Sequence, residues 1–222
     1  MANIQQAIQE ATASEPLTLE EEYENQESWR ESHDKLTFIL CQPTAGSSDD
    51  PETSVRAGEV DIPDKMIGDI NFFLYPWDGE DEDEDEQHGT NANGPAQQQQ
   101  GYCTGEIDIM IAGHQDRGRG LGKAAVSTFL HYIWTNLDAI LGEYQPSASG
   151  QTDGAPRLKL NLLMAKIKAT NVHSIALFRS LGFEQEGDVN YFGEVKLVLH
   201  DLDRISTPPE GYRVLDYSRT VD

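Results

Sequence analysis

The feature that most constrains the fold is a glycine-rich basic segment at residues 115–123, which reads QDRGRGLGK. An apolar run from Ile107 to Ala112 precedes the segment, and a helix-like run from Leu121 to Leu137 follows it. This order predicts a β-strand, a tight turn and the start of an α-helix. The first turn of a helix has N–H groups without intrahelical partners, so such a turn is suited to bind an anion such as a phosphate.

Three known phosphate-binding patterns place glycines at a turn of this kind. The Walker pattern requires a glycine at the position of Arg117 and Ser or Thr at the position of Ala124. The dinucleotide pattern G-x-G-x-x-G requires a glycine at the position of Lys123. The third pattern, Q/R-x-x-G-x-G/A, fits residues 115–120 at every defined position. An ordinary glycine-rich turn that carries basic residues is the alternative interpretation.

Composition excludes several classes of function. The chain has 222 residues with 16 Lys and Arg against 39 Asp and Glu, a net charge of −23. This charge argues against nucleic-acid binding, which depends on a basic face. It fits a cationic partner, although solubility alone also explains it. The six histidines lack metal-ligand spacing, which predicts no metal site.

The two cysteines, Cys41 and Cys103, have no paired spacing. They predict a reduced intracellular protein, cytoplasmic with the nucleus as the alternative. The first residues do not form a secretory signal. No apolar run approaches membrane-spanning length, so no membrane partner is expected.

The first half of the chain predicts one helix and several strands. Thr18 and Glu21 form a capping box that starts a helix from Leu19 to about Arg30, with Leu19, Tyr23 and Trp29 directed inward. Alternating apolar residues predict strands at 35–42, 66–75 and 106–112. Residues 1–13 are expected to form a flexible arm. Residues 78–101, acidic and then Gln-rich, are expected to be a disordered insertion whose acidic run is either a solvated spacer or a regulatory clamp.

The second half predicts a helix, a long strand, a second helix and a hairpin. The helix from Leu121 has Leu121, Ala125, Phe129, Ile133 and Leu137 on one face. In the strand 157–168, residues Leu158, Leu160, Leu162 and Met164 alternate with Lys159, Asn161 and Leu163. Thr170 or Asn171 caps the next helix, which ends near Gly182, and 183–199 is a hairpin. The domain is expected to span 14–205, with an irregular tail at 206–222.

A second motif follows the glycine segment by about 50 residues. It reads Asn171-x-x-Ser174-x-x-x-Phe178-x-x-x-Gly182-Phe183. The two motifs and the order of the elements resemble the GNAT superfamily of acetyl-CoA-dependent N-acetyltransferases. Residues 105–112 and the Asn171 helix resemble the branch that acetylates N-termini of ribosomal proteins. Residues 14–23, with Trp29 and 34–38, are similar to the N-acetyltransferase-nine-like proteins of eukaryotes.

The resemblance covers roughly residues 13–203 and implies a GNAT fold. That fold is an α/β (α+β) domain with a mixed central sheet and helices on both faces. It implies acetyl-CoA as co-substrate, an amine acceptor, with a protein or peptide N-terminus as the first choice, and no metal. The residues it implies for the cofactor are Met110, Ile111, Ala112, Gln115, Arg117, Gly118, Arg119, Gly120, Leu121, Gly122, Lys123, Asn171 and Phe178.

The chain departs from the family pattern in two respects. Family members have a strand and a helix before the segment that begins at Ser14, where this sequence has 13 unrelated residues. The fold is therefore expected to lack its first strand and helix. Many members have a tyrosine at the position of Phe178 that protonates the leaving thiolate, and phenylalanine has no hydroxyl group. Both departures favour the alternative hypothesis of a non-catalytic acyl-CoA-binding or interaction module.

Candidate catalytic residues come from the strand before the glycine segment. Glu106 and Asp108 lie two apart on that strand, so they share one face, and one of two nearby carboxyls can have a raised pKa. Glu106 matches a glutamate of the ribosomal-protein branch and is the first choice as general base. The alternative is that both are solvated surface residues. Tyr191 and Phe192, in the hairpin turn, are candidates for an acceptor-side wall, with ordinary packing as the alternative.

Overall fold

The structure is a computed structural model that describes residues 17–42, 55–77, 101–144 and 158–219. Its helices are α1 (Leu19–Glu31), α2 (Leu121–Tyr144) and α3 (Val172–Ser180). Its strands are β1 (Lys35–Cys41), β2 (Val55–Arg56), β3 (Met66–Pro76), β4 (Tyr102–Ile111), β5 (Lys159–Lys168), β6 (Glu184–Glu186), β7 (Glu194–Leu199) and β8 (Tyr217–Ser218). The predicted arm at 1–13 and residues 78–100 of the predicted insertion lie outside the described residues.

Six strands form one mixed sheet in the order β1-β3-β4-β5-β7-β6. Every neighbouring pair is antiparallel except β4 and β5, which run parallel. A parallel pair needs a long crossover connection, and α2 lies within that connection. The predicted α/β architecture with a mixed central sheet is confirmed.

The helices α2 and α3 both pack against one face of the sheet and form the main core. Phe129 and Ile133 of α2 and Phe178 of α3 are buried in one cluster with Phe72 and Leu163. Burial of each such side chain contributes roughly 1.5–3 kcal/mol to folding. Because Gly120 and Gly122 are at the start of α2, this packing fixes the position of the glycine segment relative to the sheet.

The opposite face of the sheet, called here the polar face, carries hydrophilic side chains. The register of the strands places on it Thr37, Asp69, Asn71, Glu106, Asp108, Lys166, Lys168 and Lys196. A small apolar cluster, Leu162, Met164 and Val198, lies among them. Within the described residues α1 is the helix beside this face, at its edge, where Lys35 lies 5.4 Å from the Trp29 ring and 5.5 Å from the Phe73 ring.

The capping box of α1 is confirmed, but the prediction that its apolar side chains point inward is wrong. The Thr18 side chain accepts from Glu21 N–H, and the Glu21 carboxylate accepts from Thr18 N–H. Leu19, Tyr23 and Trp29 are 67%, 63% and 50% exposed. Capping depends only on local residues, whereas burial needs a second surface, and no described element covers this side of α1.

The predicted alternation along β5 is also wrong beyond Asn161. Cys103 of β4 pairs with Leu160, whereas Thr104 pairs with Leu162, so Asn161 is an extra residue in β5. Such a bulge reverses the face of every residue that follows it. Leu160 is therefore in the main core, and Leu162 and Met164 are on the polar face.

The C-terminal tail, predicted to be irregular, contains one short strand in its described part. Strand β8 pairs in parallel with β2, with Tyr217 opposite Val55. The Tyr217 hydroxyl donates to Asp61 Oδ2 at 2.6 Å, which ties the tail to the loop before β3. No helix among the described residues is long and apolar enough to span a membrane.

Candidate active site

The glycine segment forms the turn and helix start that the sequence predicts. A short 3-10 turn, His114–Asp116, follows β4, and α2 begins at Leu121. Gly118 and Gly120 have φ of +71° and +83°, a region that side chains disfavour, and no atom lies within 4 Å of a Cβ built at either. Ala124 N–H donates to Gly120 O, so the N–H groups of residues 121–123 precede the first helical bond.

Two of the three basic side chains in this segment already bind groups within the protein. Arg117 Nε donates to Ile111 O at 2.9 Å, and its Nη2 donates to Ala112 O at 3.4 Å. Arg119 Nη1 lies 3.3 Å from Asp116 Oδ1. Lys123 makes neither an ion pair nor a hydrogen bond among the described residues and is exposed. Lys123 is therefore the side chain most available to an anion at this turn.

Asp116, which sequence reasoning did not select, stabilises the turn from inside. Its side chain is 3% exposed and pairs with Arg119. The side chains of Gln115 and Asp116 fold back over Gly113, where a Cβ would contact both. Gln115 is thus directed toward Gly113 and not out of the turn. The signal available in the sequence was the spacing alone, an aspartate followed three residues later by an arginine.

The strands β4 and β5 separate next to this turn. Their pairing ends at Glu106 and Met164, although β4 pairs with β3 as far as Ile111 and β5 pairs with β7 as far as Lys168. The gap between residues 107–111 and 165–168 is called here the strand split. It opens toward the start of α2 and toward Asn171, which follows β5.

Of Met110, Ile111 and Ala112, three of the residues predicted to contact the cofactor, Ile111 directs its backbone N–H toward the split. Ala112 N–H donates to Ile67 O at 2.9 Å, so it is engaged on the β3 side. Hydrogen-bonding direction alternates along an antiparallel strand, so Ile111 directs its N–H and C=O away from β3. The bond from Arg117 to Ile111 O agrees with this direction. Met110 O instead lies against Gly68 of β3.

Glu106 and Asp108 lie on the polar face beside the split, in different electrostatic surroundings. Glu106 Oε2 is 3.3 Å from Lys166 Nζ, and its side chain is 17% exposed. Asp108 has no cationic partner among the described residues, and partial burial raises the pKa of its carboxyl, although part of the side chain reaches solvent. Glu106 is therefore held as an ion pair, and Asp108 is not.

A third carboxyl, Asp69 on β3, accompanies Asp108 and was missed by sequence reasoning. Burial raises the pKa of Asp69, a hydrogen bond from Asn71 lowers it, and the negative charge of Asp108 raises it further. Asn71 Nδ2 donates to Asp69 Oδ2 at 2.7 Å, and Thr37 Oγ1 donates to Asn71 Oδ1 at 2.8 Å. Polar residues at alternate positions of an otherwise apolar strand were the signal for this group.

Asn171 and Phe178, the two residues of the second motif predicted to contact the cofactor, both have structural roles. The Asn171 side chain accepts from Ser174 N–H at 3.2 Å and caps α3, beside the split. Phe178 is 2% exposed, with its ring centre 5.1 Å from that of Phe183. The core position of Phe178 explains its apolar side chain without any contact to a cofactor.

Tyr191 and Phe192 are not packed against the body of the protein. They are 95% and 69% exposed, and their ring centres lie 5.5 Å apart. The turn that carries them is fixed, because Asn190 Oδ1 accepts from Phe192 N–H and Glu194 N–H. Lys168 Nζ donates to Phe192 O at 2.9 Å, so the turn is tied to the last residue of β5. The alternative of ordinary packing is wrong for this pair.

The described residues contain no group of three or more His, Cys, Asp or Glu side chains placed to hold a metal ion. Cys103 is fully buried, and burial raises the pKa of its thiol to about 12. Burial also raises the pKa of Cys41, on the edge strand. Because the nucleophile is the thiolate, neither cysteine is suited to form an acyl-enzyme.

Comparison with known proteins assigns the family. The model of the acetyltransferase (GNAT) domain matches residues 3–184, so the match begins about ten residues before the expected start of the resemblance. An N-acetyltransferase 9-like protein of Schizosaccharomyces pombe is 36% identical over 196 residues, which cover 86% of this chain and 82% of that protein. The alpha/beta-tubulin-N-acetyltransferase 9 of Drosophila melanogaster is 34% identical, covering 86% and 72%. Its human counterpart is also 34% identical, covering 86% and 68%.

Solved structures align more loosely. A variant of spermidine N-acetyltransferase from Vibrio cholerae aligns with a TM-score of 0.47 at 12% identity, covering 84% of this chain and 78% of that one. The N-acetyltransferase PseH of Campylobacter jejuni in complex with acetyl coenzyme A aligns with a TM-score of 0.43 at 12% identity, covering 82% and 79%. These alignments are too loose to add to the family assignment, which rests on the domain match and the sequence relatives. The chain belongs to the GNAT family of acetyltransferases, and within it the chain is similar to the N-acetyltransferase 9-like proteins.

Proposed function

We propose that this acetyltransferase moves an acetyl group from acetyl-CoA to the N-terminal amine of a protein. The observation that carries the proposal is the strand split, which opens beside a helix start with unpaired N–H groups. A chain of pantetheine width can lie in the split while its diphosphate meets the first turn of α2. The tubulin acceptor in the names of two relatives makes tubulin N-termini the first acceptors to examine.

The residues divide the work of binding and transfer as follows. The N–H groups of residues 121–123 and the Lys123 ammonium bind the diphosphate. Ile111 N–H, directed into the split, donates to the carbonyl oxygen of the thioester as negative charge develops there. Transfer proceeds by direct attack of the amine, because both cysteines have raised pKa values and neither is a ready nucleophile.

The acceptor side of the split is suited to a cationic amine on a peptide. Asp108 and Asp69 give this part of the polar face acidic character, and the overall charge of −23 attracts cations over longer range. Tyr191 and Phe192 stand exposed on a fixed turn beside the end of β5. Exposed aromatic rings are common contacts for peptide chains at binding surfaces.

The proposal is tested by incubating the protein with acetyl-CoA and synthetic peptides that carry tubulin N-terminal sequences. Release of free thiol and the mass of the peptide are followed. We expect turnover with a free N-terminus and none with the same peptide already acetylated. A polyamine serves as a second control for a small-molecule acceptor. Thiol release that is no faster with the free peptide than with the blocked one would refute the proposal.

A further inference from the structure

The polar face contains a carboxyl pair that spans two strands beside the strand split. Asp108 is on β4, directly opposite Asn71 of β3, and Asp69 is two residues from Asn71 on the same face. Diagonal neighbours of this kind lie close enough for their charges to interact. The negative charge of each carboxylate therefore opposes ionisation of the other, so the pair favours holding one proton.

Hydrogen bonds from neighbouring side chains fix the orientation of the Asp69 carboxyl. Asn71 donates one amide hydrogen to Asp69 Oδ2, and the Asn71 carbonyl oxygen is held by the Thr37 hydroxyl. The β1 neighbours on this face are Thr37 and Ile39, neither of which is charged. On β4 the neighbours are Met110, opposite Asp69, and Glu106, whose charge is offset by Lys166. Among the described residues, neither aspartate forms an ion pair with a cation.

Of the two carboxyl residues of β4 on the polar face, Asp108 is the nearer along the strand to Ile111. Met110 and Ile111 follow Asp108 on β4, and Ile111 N–H is the donor directed into the split. Glu106 lies at the closed end of the split, where β4 and β5 are still paired. An amine that attacks a thioester beside Ile111 therefore meets Asp108 before Glu106.

We propose that Asp108 and Asp69 act as a carboxylate pair that takes the proton of the acceptor amine, while Glu106 is a structural ion-pair partner of Lys166. The inference rests on the proposed function. The ammonium gives one proton to Asp108, and the nitrogen lone pair then forms the C–N bond to the thioester carbon as the C–S bond breaks. The leaving thiolate receives the second nitrogen proton, and the pair returns its own proton to water. Asp69 is a positioning residue that raises the proton affinity of Asp108.

The test is the pH dependence of kcat/KM with a peptide amine, measured for matched variants of the whole chain. Asp108→Asn should lower kcat/KM by about 100-fold near pH 7, the lower range for loss of a general base. Asp69→Asn should shift the acidic limb of the profile to lower pH, because the charge that disfavours ionisation of Asp108 is gone. Glu106→Gln, the control, should still show an acidic limb, because Asp108 remains as the proton acceptor. Acetyl-CoA affinity, measured by calorimetry, should be unchanged in all three.

A fourth variant changes the limb in the opposite direction. Asn71→Asp places a further carboxylate directly opposite Asp108, so the limb should shift to higher pH. If Asp108 had only a structural role, the acidic limb would not shift in the direction that the added charge predicts. Asn71→Asp also keeps the proposal testable if Asp69→Asn fails to fold. An unchanged limb in both variants, or a limb removed by Glu106→Gln, would overturn the carboxylate pair. Absence of thiol release by the wild type with every amine would instead overturn the proposed function.

Discussion

Gly68 tests whether the backbone of β4 beside the split must keep its present position. Gly68 is on β3, opposite Ile111. A Cβ at Gly68 would overlap the carbonyl oxygen of Met110 and lie 2.9 Å from its carbonyl carbon and 3.2 Å from Ile111 Cα. All three are backbone atoms, so no side-chain rotation relieves the contact. Gly68→Ala must therefore move the β4 backbone at the place where the Ile111 donor is directed.

The size of the effect follows from these distances. Ordinary contact begins at 3.4 Å, so the Met110 carbonyl carbon at 2.9 Å must move by about 0.5 Å and its oxygen by more. Overpacking of this kind costs roughly 1–3 kcal/mol of unfolding free energy. Misplacement of catalytic groups by about 1 Å can lower a rate by about 100-fold, so we expect kcat to fall by roughly 10- to 100-fold. Acetyl-CoA affinity should change by less than about threefold, because the phosphate turn at the start of α2 is not displaced.

Gly142 provides the matched control for a glycine-to-alanine change. It is within α2, and a Cβ there meets no atom within 4 Å. Gly142→Ala should stabilise the protein by roughly 0.5–1 kcal/mol through helix propensity and leave turnover unchanged. Urea unfolding gives the stability of both variants, and thiol release with a peptide amine gives kcat. A Gly68→Ala protein with wild-type stability and wild-type kcat would refute the reasoning about the β4 backbone.

Three further predictions concern the turn, the carboxyl pair and the connection between β3 and β4. Gly120→Glu should weaken acetyl-CoA binding by about 2 kcal/mol or more through lost charge-assisted hydrogen bonds. The control Gly120→Ala, which has the same backbone strain, should weaken binding less. Equal calorimetric affinities for wild type and Gly120→Glu would contradict the assignment of the turn to diphosphate binding. Asp69→Asn should raise the melting temperature at pH 7, because ionisation of a carboxyl with a raised pKa opposes folding as pH rises above the ordinary pKa of 3.8. In melting scans at several pH values, the difference between variant and wild type should vanish below pH 3.8. A lower melting temperature of the variant at pH 7 would contradict this prediction. Deletion of residues 79–100 should leave acetyl-CoA affinity within about twofold. The entropic cost of closing a loop depends weakly on its length, and Trp77 N–H already donates to Tyr102 O between β3 and β4. A tenfold loss of affinity measured by calorimetry would show that the deleted residues contribute to binding.

The sequence predicts those parts of the fold that depend on neighbours along the chain. The capping box at Thr18, the Asn171 cap and the positive φ of Gly182 each arise from interactions within a few residues, and each is present. The glycine turn before α2 belongs to the same class, because its hydrogen bonds and φ values are local. Such features can be predicted since the residues that form them are within one or two helical turns of each other.

The parts that depend on strands meeting across the sheet could not be predicted in the same way. The pairing of Asp69 with Asp108 depends on the register of β3 against β4, which is set by residues about 40 positions apart. The exposure of Leu19 and Tyr23 depends on whether another element covers α1, and local amphipathicity does not contain that information. The exposed aromatic pair at 191–192 likewise depends on how the hairpin turn leaves the sheet.

The bulge at Asn161 shows how one residue links the fold to the site. Without it, Lys166 and Lys168 would share the core face with Leu160, and two ammonium groups would be buried beside Phe72 and Leu197 at a cost of several kcal/mol each. The sequence contained this conflict, since the two lysines have the same parity as Leu160, Leu162 and Met164. The extra residue resolves the conflict by turning the second half of β5 over. Lys166 thereby reaches Glu106 on the polar face, and its charge is matched at the closed end of the split. Asp108 lies farther along β4, where no β5 residue pairs with it, so no β5 cation is placed opposite it. The register of β5 therefore distinguishes Glu106, whose charge is neutralised by Lys166, from Asp108, which can still accept a proton.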